Sequence, residues 1–112
     1  FNSIEDLEIM NRFSCNFCLD ICHAFMCFYI DENILDEISK SFSLVKHIHI
    51  AGATSIDGEG ESLNKMNETQ LKFLRKIIDL PHIKVLEVWQ GHLNNYKGFK
   101  NSLIEIQKLA ML

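Results

Sequence analysis

The sequence predicts an α/β fold with parallel strands, and three observations carry that prediction. Short apolar runs rich in β-branched residues alternate with segments of helical periodicity. The strand starts, near 15, 45 and 83, lie about 30 and 38 residues apart, and parallel pairing needs crossovers of a dozen or more residues, usually helical. An Asp, His or Glu recurs at the end of each run, on the edge where α/β sheets build their sites.

Taken in order, a helix is expected over 4–13, capped by Asn2 or Ser3 with Asp6 as the capping-box acid. The apolar run 15–20 reads as a buried strand. Asp31 starts a second helix, in which Ile34, Leu35 and Ile38 recur at helical spacing. Residues 45–50 are β-branched, bounded by Gly52, and form the second strand. A polar, glycine-containing loop runs from Gly52 to about Met66. Asn67 and Gln70 make a capping box, opening a helix whose stripe is Leu71, Leu74, Ile77 and Ile78. Pro81 precedes the third strand, 83–88, and the stretch 94–98 reads as a turn. A last helix follows, its buried face predicted as Leu103, Ile106, Leu109 and Ala110. The order is α-β-α-β-α-β-α in one domain over 1–112, without internal repeats or low-complexity tracts.

At 47% apolar and 23% charged residues, the composition is that of an ordinary globular chain. No run approaches the roughly 18 apolar residues of a membrane span, and the most apolar window, 21–30, is broken by His23. The chain opens with neither a basic, apolar leader nor an initiating Met, which reads as a cytoplasmic protein met as a fragment or processed product. Net charge is −4 with no basic stripe, which argues against a nucleic-acid partner. Cys15, Cys18, Cys22 and Cys27 form a C-x2-C-x3-C-x4-C run that raises an iron–sulfur or zinc cluster. Their flanks, Phe17, Leu19, Ile21, Ala24, Phe25 and Phe28, are those of a core segment without glycines to wrap a cluster, and free thiols packed as small hydrophobes are expected.

The ionisable residues are more specific. Asp20 ends the first strand and His23 follows three residues later; His47 and His49 share one face of the second strand; Glu87 stands near the end of the third. A lone strand histidine is more often a satisfied core residue than a ligand, and a lone Glu is often paired with Lys or Arg. Three strands doing the same thing at one edge is harder to explain structurally, because uncompensated buried carboxylates are costly. A divalent ion would compensate them, and carboxylate–imidazole–carboxylate sets suit Mn²⁺, Mg²⁺, Co²⁺ or Zn²⁺. His49 is preferred to His47 because it lies nearer the strand's C-terminal end.

Cys18-Leu19-Asp20-Ile21-Cys22-His23 resembles the D-x-x-H strand end of the xylose isomerase-like TIM-barrel superfamily, which includes sugar-phosphate isomerases/epimerases and endonuclease IV. His47-Ile48-His49-Ile50, the loop Asp57-Gly58-Glu59-Gly60-Glu61 and Leu86-Glu87-Val88-Trp89 resemble that superfamily's following elements, in its order. The resemblance spans roughly 14–100. It implies a partial (β/α)8 barrel, about three C-terminal βα units, with the rest of the barrel or self-association needed to complete it. It further implies Asp20, His49 and Glu87 as metal ligands, Glu87 as acid/base, and His23, Trp89 and His92 as contacts to a small sugar or sugar phosphate. Asp57 and Glu59 become loop contributors, against the plainer reading of a solvated loop. The epimerase branch uses a further glutamate on an earlier strand, which these three strands do not supply. The endonuclease branch carries D-x-H where this chain has Asp57-Gly58-Glu59, so abasic-site chemistry is not expected. A metal-dependent hydrolase on the same scaffold and a non-catalytic barrel remnant completed by another chain are the alternatives, since fold analogy does not settle reaction class.

Overall fold

The structure, a computed structural model, describes residues 4–111; the expected cap at Asn2 or Ser3 lies outside them. The elements run α1 (Ile4–Arg12), β1 (Phe17–Asp20), α2 (Ile21–Phe28), α3 (Ile34–Ser39), β2 (Val45–Ile50), β3 (Gly52–Ala53), β4 (Glu59–Glu61), α4 (Glu68–Ile78), β5 (Lys84–Leu86) and α5 (Leu93–Ala110). Single 3-10 turns stand at Phe42–Leu44 and Leu63–Lys65.

The three predicted strands form one parallel sheet in the order β1-β2-β5. Leu19 pairs with Ile48 and Asp20 with His49; His49 pairs with Val85 and Ile50 with Leu86. The ladder runs past β5 at both ends, through Ile48 N–H to the Ile83 carbonyl (3.2 Å) and Glu87 N–H to the Ile50 carbonyl (2.8 Å). Registered residues of parallel strands share a face. One face, with Leu19, Ile48 and Ile50, is sealed and joins Phe25, Ile38, Leu74 and Ile77 in the core. Each such side chain contributes about 1.5–3 kcal/mol on burial. The other face carries Cys18, His47 and Val85 and stays open: Val85 is 40% exposed and Ile83, two residues before it, 74%. Parallel sheets are ordinarily covered on both faces.

Several expectations need correction. The first crossover holds two helices, because residues 21–28 coil into α2 directly after β1. An all-apolar run is ambiguous between strand and helix; here Asp20 decides, accepting the His23 N–H (3.3 Å) as N-cap. The next helix begins at Ile34 rather than Asp31, whose carboxylate instead accepts the Asn33 N–H in a turn (3.0 Å). The first strand starts at Phe17 rather than Cys15. Of the cysteines, Cys22 is buried and Cys27 half-buried, as packing requires, but Cys15 and Cys18 are exposed; among the described residues no three thiols gather at one point.

The loop 52–66 contains the hairpin β3–β4. The turn at 94–98 is real: Asn94, Asn95 and Tyr96 adopt φ of 52°, 60° and 62° before the regular part of α5. That helix buries Ser102 and Leu109 while Leu103 and Ala110 are exposed. Its inward face is shifted because the Ser102 hydroxyl accepts the Leu63 N–H (3.0 Å), a polar contact that hydrophobic periodicity cannot report. No helix among the described residues is long and apolar enough to cross a membrane.

Candidate metal centre

Asp20 closes β1 and caps α2, so the D-x-x-H spacing is that of an N-cap and its third helical residue. One carboxylate oxygen takes the His23 N–H; the other faces His23 Nδ1 at 3.7 Å. His49 reaches the same edge by its pairing with Asp20, and Glu87 lies two residues beyond Val85, the partner of His49 on the other side. The three side chains therefore converge: a ligand-capable atom from each lies within 4.8 Å of the others, and His49 Nδ1 stands 3.1 Å from Glu87 Oε2. His47, its ring 4.8 Å from that of His49, is turned along the open face and is not part of the group.

The hairpin leans over this edge. Its Gly60, unpaired in the register that joins Gly52 to Glu61 and Ala53 to Glu59, is a bulge with φ +74°. It is pinned from two sides: its N–H donates to Cys22 Sγ (3.2 Å) and its carbonyl accepts the Trp89 N–H (2.8 Å). A Cβ here would lie 2.6 Å from that of Trp89, so both φ and space demand glycine. Pinning brings Glu59 Oε1 to 3.4 Å from His23 Nε2. The base of the hairpin is held from below by Gln70, fully buried, whose amide donates to the Ala53 carbonyl (3.0 Å) and to Tyr29 (3.2 Å).

Between hairpin and strand ends is a cavity of about 470 Å³, walled by Asp20, Glu87, Asp57, Glu59, Gly60 and Trp89. Four carboxylates make it strongly negative. Burial first, then Asp20 and Glu87, pushes the Cys18 thiol above its ordinary value. Burial also raises Cys22, with Asp20, Glu59 and Glu61 adding to it and the Gly60 amide opposing. Two carboxylates and an imidazole are a fitting donor set for a hard or borderline divalent ion. With bonds of about 2.2 Å, neighbouring donors to one ion stand about 3.1–3.6 Å apart, closer than the 4.8 Å that bounds this group.

Of the residues expected at the site, the structure brings Asp20, His49 and Glu87 together, sets His23 beside them, and places Trp89, Asp57 and Glu59 around the cavity. His92 is not drawn in: it precedes α5, exposed, and lines neither this cavity nor the adjoining hollow beyond Trp89. Sequence reasoning missed Cys22 and Gly60 as the hairpin's anchor. The signal available was the second glycine of Asp-Gly-Glu-Gly-Glu, where a positive φ is cheapest. No family model, curated protein or solved structure matches this chain.

Proposed function

We propose that the chain is the metal-binding part of a sugar isomerase/epimerase-like (β/α) barrel, contributing three strand–helix units and three ligands, Asp20, His49 and Glu87. The observation that supports this reading best is the convergence, on the C-terminal edge of three adjacent parallel strands, of three ligand atoms within 4.8 Å. Held there, a divalent ion supplies Lewis-acid polarisation of a substrate oxygen. The protein's own groups do the rest. Glu87, 46% exposed at the cavity mouth, takes up and returns a proton at the neighbouring carbon. His23, at 3.7 Å from Asp20 and 3.4 Å from Glu59, orients both carboxylates. Trp89 offers an exposed ring to the substrate's apolar face. The open sheet face and the outer edges of β1 and β5, unpaired among the described residues, favour completion by further strands.

Mn²⁺ titration followed by electron paramagnetic resonance tests the reading. Asn caps a helix about as well as Asp, so Asp20→Asn removes charge while keeping α2 intact. Wild-type chain is expected to bind one ion. Asp20→Asn/Glu87→Gln should weaken binding more than the roughly 10–100-fold typical of losing an outer-shell partner, at unchanged helicity. A folded wild-type chain that binds no ion overturns the proposal and leaves Asp20 a cap and His49–Glu87 a polar pair.

A further inference from the structure

We infer that the cavity selects a cationic polyol, a sugar or cyclitol bearing a free ammonium group, over its phosphorylated counterpart. This rests on the metal-site reading above and names the ligand class. Asp20, Asp57, Glu59 and Glu87 line the cavity, and no lysine or arginine among the described residues does. A divalent ion at Asp20, His49 and Glu87 balances two of the carboxylates and leaves Asp57 and Glu59. The mouth stays negative with the ion in place.

A phosphate ester brings close to two negative charges at neutral pH and is ordinarily met by arginine forks, lysines or helix N-termini. Lys65 and Lys97 line the adjoining hollow rather than this cavity, and Lys65 is engaged by Glu61 at 2.7 Å. Lys84 is committed at the other end of its strand, to the carbonyls of Leu80 and His82. An ammonium group, by contrast, finds two carboxylates outside the metal group, Asp57 and the Glu59 that stands beside His23, and the ring of Trp89, 72% exposed next to them; a tryptophan face is the strongest side-chain partner for a cation. The polyol part follows from the hard donor set of the metal centre, which matches hydroxyl and carbonyl oxygens, and from a volume of about 470 Å³, ample for one sugar ring.

Trp89 is the chain's single tryptophan, so its fluorescence reports the cavity directly. Glucosamine, glucose and glucose 6-phosphate are titrated into the whole chain, with and without Mn²⁺, at a pH where the amine is protonated. Glucosamine is expected to saturate the signal at a concentration at least about tenfold below glucose, with glucose 6-phosphate weakest of the three. Asp57→Asn/Glu59→Gln should abolish the glucosamine preference while Mn²⁺ still binds. Tighter binding of glucose 6-phosphate, equal binding of all three, no saturable change with any, or a preference that survives the double substitution overturns the inference. The Mn²⁺-free series reads the preference for ligand charge even if the chain takes up no metal, so the two failures are told apart.

Discussion

Two residues in this protein each tie together several parts of the fold. Asp20 ends a strand, caps a helix with one oxygen, faces His23 with the other and groups with His49 and Glu87. Gly60 joins the hairpin to both Cys22 and Trp89 and sits in left-handed backbone. Gly60→Ala should cost about 1–2 kcal/mol from the backbone alone, and more from the 2.6 Å approach to Trp89. Urea unfolding measures the cost, and Trp89 fluorescence should shift in the native baseline as the hairpin lifts. An alanine variant of unchanged stability and spectrum would mean that the hairpin is not anchored there.

At the scale of elements, α4 shows how one residue ties local to tertiary structure. Asn67 accepts the Gln70 N–H (2.8 Å) and Gln70 Oε1 accepts the Asn67 N–H (3.0 Å), a complete capping box. The same Gln70 uses its amide nitrogen to hold the Ala53 carbonyl and Tyr29. Losing a cap costs about 1 kcal/mol, whereas stripping a buried polar network adds about 1–3 kcal/mol for groups left unsatisfied. Asn67→Ala is therefore expected to lower stability by about 1 kcal/mol and Gln70→Ala by clearly more. Chemical denaturation of the two variants side by side checks the order; equal losses would confine Gln70 to a capping role.

For the whole molecule, the telling feature is a parallel sheet with one partly exposed face and, among the described residues, two unpaired edges. Val85 and Ile83 present apolar surface there, and unpaired edge strands are templates for further pairing. The isolated chain is expected to self-associate as concentration rises. Ile83→Ser/Val85→Thr should weaken that association at least about tenfold with little loss of fold stability, since the exposed groups contribute little to the core. Sedimentation velocity over a concentration series measures it. A monodisperse wild-type monomer throughout would show that this face needs no cover.

The sequence by itself determined the three strands, the helices α1, α3, α4 and α5, the α4 capping box and the turn at 94–98. Those signals are local: strand periodicity, helical periodicity, caps and glycine punctuation all act within about a dozen residues. It also placed an acid or an imidazole at each strand end, so Asp20, His49 and Glu87 were legible as a set once the strands were taken as parallel neighbours. Only the tertiary structure decided the rest. Residues 21–28 have no polar face to reveal a helix, and that segment coils because Asp20 caps it and the sheet supplies a surface to pack on. Ser102 turns inward because a backbone N–H 39 residues away needs an acceptor. The hairpin closes over the strand ends through Cys22, Gly60 and Trp89, which no local pattern links, because long-range hydrogen bonds and close backbone contact depend on where the whole chain has already been placed.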